Sequence, residues 1–116
     1  VGYALGPEDY ARLLTAATGF EWTADSFVKA GERIWNLTRL FNVREGISRK
    51  DDVLLWRIMN EPLPSGLTKG QVLTREKLDK MLDEYYEYRG WGKNGIPTPE
   101  KLRELGLEEL ARGVVT

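Results

Sequence analysis

The chain has 116 residues, of which 41% are hydrophobic and 30% are charged, and its net charge is −1. This balance gives no bulk argument for binding nucleic acid or an anionic membrane, and no apolar run is long enough for a transmembrane helix. The chain has no Cys and no His, which excludes disulfides, thiolate or imidazole metal sites, Cys nucleophiles and Ser-His-Asp triads. The first ten residues lack the features of a signal peptide, and because the first residue is not Met we expect a piece excised from a larger protein.

The first half of the chain predicts two helices. Pro7 and the acidic residues after it are typical of a helix start, and Gly19 is typical of a helix stop. Thr23 is predicted to cap a second, longer helix that ends near Asn42. Its apolar stripe, at helical spacing over four turns, consists of Phe27, Ala30, Ile34, Leu37 and Phe41.

The second half predicts shorter elements between glycine and proline breaks. Residues 48–52 predict a charged loop, residues 53–59 a short helix, and the segment "NEPLPSG" a break. Thr74 is predicted to cap the next helix, which ends at Gly90. The apolar side of that helix is predicted to contain Leu78, Met81, Leu82, Tyr85 and Tyr86. A further helix is predicted from Thr98 to a stop at Gly106, followed by a last turn over residues 108–112.

No stretch of the sequence alternates polar and apolar residues over more than three or four positions. The expected fold is therefore all-α, a small irregular helical domain of about five to six helices with Pro/Gly-rich connecting loops. Residues 1–116 are expected to form a single domain.

Residues 82–102, "LDEYYEYRGWGKNGIPTPEKL", allow two interpretations. Tyr and Trp faces beside glycine amides are typical of a stacking platform for a base, sugar or phosphate. The spacing favours the other interpretation, in which Tyr85 and Trp91 pack at the end of a helix that Gly90 terminates. The glycines match neither GxGxxG nor a P-loop, and Asn94-Gly95 is typical of a tight turn.

Charged residues offer two further candidate sites. Glu84 and Glu87 share a helix face, where a solvated surface is favoured over a metal site because no His accompanies them. Basic residues beside Trp35 are compatible with nucleic-acid binding, but interleaved acids favour a solvated or ion-paired face. This basic set consists of Arg33, Arg39, Arg44, Arg49 and Lys50.

We expect the polar residues of the long helix to hold neighbouring loops through hydrogen bonds. The candidate donors are Arg33, Arg39, Asn42 and Arg44, and the candidate acceptors are Asp52 and Glu61. The role predicted for this group is architectural, and the sequence indicates no catalytic, cofactor-binding or metal-ligating residue.

Three long strings give the chain a family resemblance. "GERIWNLTRLFNVREGISRKDD" (residues 31–52), "EPLPSG" (61–66) and "LDKMLDEYYEYRGWGKNGIPTPEKLRELGL" (78–107) resemble, in order and spacing, the C-terminal part of the tungsten-containing aldehyde ferredoxin oxidoreductases. The resemblance runs from about residue 5 to residue 110. It implies that the chain is the C-terminal helical part of a larger oxidoreductase.

The resemblance also implies a function for the parent protein. Family members oxidise aldehydes to carboxylic acids in the cytoplasm and pass electrons to ferredoxin. They use tungsten held by two pterin dithiolenes, beside a [4Fe–4S] cluster. The cysteines, histidine and acid that the family uses at these centres have no counterpart here, so the chain is expected to buttress the cofactor cavity and to be inactive alone.

Two other functions stay open at this point: a stand-alone helical module that binds a protein partner, and a nucleic-acid binder. If other domains of the parent cover part of this chain, we expect an exposed apolar patch and a tendency to self-associate. The members predicted for that patch are Trp22, Trp35 and Trp56.

Overall fold

The computed structural model describes residues 5–114. These residues form six α-helices and no β-strand, so the predicted all-α class is confirmed. The helices are α1 (Pro7–Thr18), α2 (Ala24–Arg44), α3 (Trp56–Asn60), α4 (Arg75–Arg89), α5 (Pro99–Glu104) and α6 (Glu108–Ala111). One 3₁₀ turn, Arg49–Asp51, lies between α2 and α3, and no helix in the described part is long and apolar enough to cross a membrane.

The predicted helix starts are confirmed by side-chain caps. The Thr23 hydroxyl accepts a hydrogen bond from the Ser26 amide at 3.1 Å, and Thr98 caps α5 in the same way through the Lys101 amide. Thr74 caps α4. Each hydroxyl satisfies an amide that has no partner inside its own helix.

The glycine stop after α4 is also as predicted. Gly90 has φ +67, the Trp91 amide donates to the Tyr86 carbonyl at 2.8 Å, and the Gly90 amide donates to the Glu87 carbonyl at 3.1 Å. This pair of bonds defines a Schellman motif, in which the left-handed residue is most easily a glycine. The motif turns the chain so that Trp91 lies against α4.

Two boundaries differ from the prediction. Helix α2 continues two residues beyond Asn42, to Arg44. The helix predicted for residues 53–59 is wrong in its first turn, because α3 begins only at Trp56 and residues 52–55 are irregular, with the Val53 amide bonded to the Asp51 carbonyl at 2.9 Å. The Asp52 side chain is bonded to α2 and α4, which holds the end of the 3₁₀ turn against those helices just before this irregular segment.

The described residues bury only small cores. One consists of Leu40 from α2 packed with residues of α5 and α6, namely Leu102, Leu105, Leu107 and Ala111. Another is aromatic, with Trp91 against Tyr85 (ring centroids 5.6 Å apart) and Tyr86 (5.9 Å). Helix α1 is joined to α2 by a stack of Tyr10 on Phe27 at 5.5 Å.

The chain is flat and open for its length. Its radius of gyration is 18.3 Å and its extents are 52 × 41 × 20 Å, whereas a compact 116-residue domain has a radius of gyration of about 13 Å. Its accessible surface is 8835 Å², against about 6,450 Å² for a compact protein of this mass. Much apolar surface is therefore left uncovered by the chain itself.

Candidate functional site

Arg39, in the C-terminal third of α2, is bonded to two distant segments of the chain. Its Nε donates to the Gly95 carbonyl at 2.7 Å, and its Nη1 and Nη2 donate to the two carboxylate oxygens of Asp52 at 2.9 and 2.5 Å. The guanidinium also lies 5.0 Å from the centroid of the Trp91 ring. A buried arginine with a bidentate carboxylate and a third acceptor has most of its donors satisfied.

Tyr86 extends this network to α4, because its hydroxyl donates to Asp52. Burial by itself raises the pKa of Asp52, but the hydrogen bonds from Arg39 and Tyr86 outweigh it and lower that pKa below its usual value. Burial, followed by the bond to Asp52, raises the pKa of Tyr86 to about 12. At neutral pH the carboxylate is therefore charged and the phenol keeps its proton.

Asn36 lies one turn before Arg39 and is fully buried. Its Oδ1 accepts from the Trp91 indole N–H at 2.8 Å, and its Nδ2 donates to the Glu32 carbonyl at 3.0 Å. The sequence prediction missed this residue. The available signal was an asparagine inside a long helix, on the side opposite the apolar stripe, where a buried polar group needs a partner.

Arg49 fixes the 3₁₀ turn to α4. Its Nη1 donates to Asp83 Oδ1 at 2.5 Å and to the Lys93 carbonyl at 3.2 Å, while Nη2 donates to the Asp79 carbonyl at 3.1 Å. Its guanidinium also lies over the Tyr86 ring, 5.4 Å from the centroid. The sequence places Arg49 in the basic set, but its partners are 30 or more residues away and leave no local pattern.

The other polar residues singled out from the sequence lie elsewhere. Arg44 pairs with its neighbour Glu45, and Glu61 pairs with Arg57. Arg33 lines a separate cavity beside Trp22, where no hydrogen bond of its side chain is found among residues 5–114. Asn42 lines a cavity of about 290 Å³ that also borders Trp35 and the Arg39–Asp52 pair. The structure therefore brings together Arg39, Asp52, Trp35 and Asn42, but not Arg33, Arg44 or Trp56.

Helix α2 exposes the second half of the apolar stripe that its sequence predicts, while Phe27 and Ala30 in the first half are half-buried. Ile34, Leu37 and Phe41 are 67%, 43% and 55% exposed, whereas the buried residues of α2 are Asn36, Arg39 and Leu40. Ile34 lies two residues before Asn36, roughly 200° around the helix at 100° per residue. We call Ile34, Leu37 and Phe41 the apolar face of α2. A helix with an exposed apolar face and a partly polar buried face lacks a partner on its exposed side.

The tryptophans predicted for an exposed patch differ in how much of their surface is exposed. Trp35 is 48% exposed and Trp56 is 69% exposed, while Trp22 is half-buried. Leu54, Leu55 and Ile58, around Trp56, are exposed as well. Apolar surface is therefore uncovered at both α2 and α3.

The described residues do not fit the ligand set of a metal centre. No group of three or more Asp and Glu side chains in residues 5–114 converges so as to hold a metal ion, and the chain contains neither Cys nor His. A tungsten–pterin or iron–sulfur centre needs other types of ligand close to the metal, such as the cysteine thiolates that hold iron–sulfur clusters. The arrangement of Arg39, Asp52, Tyr86 and Asn36 positions backbone segments, and we derive no chemical step from it.

Comparison with known proteins gives a consistent result. A family model described as "Aldehyde ferredoxin oxidoreductase, domains 2 & 3" matches residues 1–107. Tungsten-containing aldehyde ferredoxin oxidoreductases of Pyrococcus horikoshii and Thermococcus kodakarensis are 46% and 43% identical over 109 residues, 93% of this chain and 18% of each relative. An aliphatic sulfonate oxidoreductase, WOR-like subunit, of Pyrococcus furiosus is 38% identical over 115 residues, 94% of this chain and 18% of that relative.

A solved structure has the same fold. The active site complex BamBC of benzoyl coenzyme A reductase, in complex with 1,5 dienoyl-CoA, aligns with a TM-score of 0.72 and 30% identity, over 93% of this chain and 15% of that chain. The chain thus spans less than a fifth of the length of each of these proteins.

Proposed function

The chain belongs to the aldehyde ferredoxin oxidoreductase family, and we propose that it is the C-terminal helical part of a cytoplasmic, tungsten-dependent enzyme that oxidises aldehydes to carboxylic acids and passes the electrons to ferredoxin. The match to the family over residues 1–107 carries this proposal. Identities of 43–46% to the aldehyde enzymes, against 38% to the sulfonate enzyme and 30% to BamBC, favour aldehydes as substrates.

Within that enzyme the chain acts as a support for the walls of the cofactor cavity. The tungsten–pterin and the [4Fe–4S] cluster would be held by residues outside the chain, because the described residues offer no fitting ligand set. The chain's own contribution is rigidity, since the bonds of Arg39 and Asn36 fix α2 to the loop between α4 and α5. The apolar face of α2 would then be covered by the rest of the enzyme.

A substitution on that face tests the proposal in two settings. Leu37→Asp should change the free energy of unfolding of the 116-residue chain by less than about 0.5 kcal/mol, because Leu37 is exposed there. In the whole enzyme the same change buries an unpaired carboxylate and should cost several kcal/mol. We therefore expect a large loss of bound tungsten and of aldehyde-dependent viologen reduction in the whole enzyme only.

The matched control is Leu110→Asp, a leucine that is 60% exposed against 43% for Leu37 and lies beyond the matched residues 1–107. It should affect neither setting. A whole enzyme that keeps full metal content and activity with Leu37→Asp would contradict the supporting role. Aldehyde turnover by the 116-residue chain alone, in proportion to metal bound to it, would contradict the placement of the redox centres outside it.

A stand-alone module that binds another protein is the second candidate, and the exposed faces of α2 and α3 are the observation in its favour. It differs in one measurable respect. The 116-residue chain would then be the complete product of its gene, whereas the first proposal requires an upstream reading frame that encodes the cofactor ligands.

A further inference from the structure

A groove lies between the first half of α2 and the end of α4. It has a volume of about 430 Å³ and is lined by Val28, Gly31, Glu32, Trp35, Tyr88 and Arg89. We call it the Arg89 groove. Trp35 and Tyr88 are well exposed at 48% and 81%, so two aromatic surfaces at this groove face solvent.

Arg89 is held among aromatic rings. Its guanidinium carbon lies 5.3 Å from the centroid of Tyr85 and 5.7 Å from those of Trp35 and Tyr88. The Trp35 indole N–H donates to the Tyr85 hydroxyl at 2.6 Å, which fixes two of these rings relative to each other. The guanidinium is therefore fixed in position before any ligand arrives.

The donors of Arg89 are unused within the described residues. Its Nε is buried and has no hydrogen-bond partner, and none of the ion pairs found in residues 5–114 includes Arg89. Glu32 is the carboxylate that lines the groove, but Lys101 holds it at 2.9 Å. A guanidinium offers five donors in a rigid fork suited to a carboxylate. A buried donor without a partner calls for an explanation, and an acceptor on another molecule supplies one.

We propose that the Arg89 groove binds an acidic side chain of a partner polypeptide, with Arg89 pairing with the carboxylate and with Trp35 and Tyr88 packing against the apolar residues beside it. Charge complementarity selects the carboxylate. The groove presents Trp35, Tyr88 and Arg89, and Trp, Tyr and Arg are the residue types that carry most binding energy at protein interfaces. Gly31 borders open space in the groove, because a Cβ built there meets no atom within 4 Å.

The binding test uses two blocked peptides that differ at one position. The first is acetyl-Gly-Gly-Leu-Glu-Leu-Gly-Gly-amide, and the second has Gln in place of Glu. We titrate each into the full 116-residue chain, with the Trp indole N–H resonances as readout. The Glu peptide should bind at least tenfold more tightly than the Gln peptide and should shift the Trp35 indole signal. Sodium acetate should bind at least tenfold more weakly than the Glu peptide.

Two variants locate the site. Arg89→Gln should weaken binding of the Glu peptide at least tenfold. Arg112→Gln, at an exposed arginine just after α6 that pairs with Glu109, should not change the affinity. Gly31→Leu leaves Arg89 in place but fills the groove, so it should abolish binding. It should also raise the thermal midpoint, because leucine favours a helix interior more than glycine does. Gly31→Ala should raise the midpoint and keep binding.

The possible results decide between the alternatives. Equal affinity for both peptides, or unchanged binding by Arg89→Gln, would refute the carboxylate pairing. Acetate that binds as tightly as the Glu peptide would overturn the polypeptide partner in favour of a small carboxylate. Undiminished binding by Gly31→Leu would place the site elsewhere, and this result does not depend on whether Arg89→Gln folds.

Discussion

Replacing Arg39 with Met removes the bonds to Asp52 and to the Gly95 carbonyl while keeping an apolar stem of similar length. Removing one partner of a buried ion pair costs about 3–5 kcal/mol. The Asp52 side chain is 23% exposed and keeps its bond from Tyr86, so water and the phenol offset part of that cost. We expect the free energy of unfolding to fall by about 2–3 kcal/mol.

The assay is urea unfolding of the chain at pH 7, followed by tryptophan fluorescence. Combining Arg39→Met with Asp52→Asn should recover part of the loss, because the double variant has no unpaired carboxylate. The coupling energy should be about 1–2 kcal/mol. Arg44→Met is the control, since Arg44 pairs with Glu45 at the surface, and it should cost under about 0.5 kcal/mol.

The same variant has a defined effect on acid stability. The pKa of Asp52 is lowered in the folded chain, where burial opposes the shift but the bonds from Arg39 and Tyr86 exceed it. A lowered carboxylate pKa stabilises the fold above the unfolded value of about 3.9, and this stabilisation is lost as the pH falls below it. The wild type should therefore lose more stability than Arg39→Met between about pH 4 and pH 2. A cost under about 1 kcal/mol at pH 7, or identical acid profiles, would refute the reasoning.

Two further predictions concern the same network. The pKa of Tyr86 is raised to about 12, so the stabilisation that this residue gives the fold is complete below about pH 10 and is lost as the pH rises to 12. Over that range the free energy of unfolding of the wild type should fall by about 2–3 kcal/mol more than that of Tyr86→Phe. Parallel alkaline unfolding curves would exclude the bond to Asp52. Gly95→Ala should cost about 2–4 kcal/mol, because Gly95 has φ +75 and a Cβ there would strike the guanidinium of Arg39 and the Tyr86 hydroxyl. Gly19→Ala, at φ +74 with no atom within 4 Å of the added Cβ, should show only the backbone strain of about 1–2 kcal/mol in the same urea titration.

The helix ends of this chain are readable from sequence because a cap involves residues only three to five positions apart. The sequence has the residue types that helix caps need at Thr23, Thr98 and Gly90, and the structure shows the hydrogen bonds of those caps. Such signals are complete within one short window. They predict where an element starts or stops, but not what it touches.

The polar network is only half readable for the opposite reason. Arg39 and Asp52 are recognisable as a donor and an acceptor, 13 residues apart. Asn36 and Trp91 are 55 residues apart, and neither position has a local pattern that names the other. The late start of α3 has the same origin, because the irregular segment before it follows a residue held by distant helices. Long-range pairs of this kind depend on the fold being formed first.

Helix α2 shows why periodicity predicted the right helix but not its surroundings. A stripe of apolar residues at helical spacing predicts that one side of a helix will be covered, but it does not identify the residues that cover it. In this chain that side is Ile34, Leu37 and Phe41, and it is exposed, while the opposite side buries Asn36 and Arg39. The two sides therefore make separable contributions. Substitutions at Asn36 and Arg39 must act on the chain by itself, whereas substitutions on the apolar face can act only through whatever covers it. If substitutions on both sides destabilised the isolated chain equally, the apolar face would already be covered within the chain. Membership of the family would then not account for the open shape of the chain.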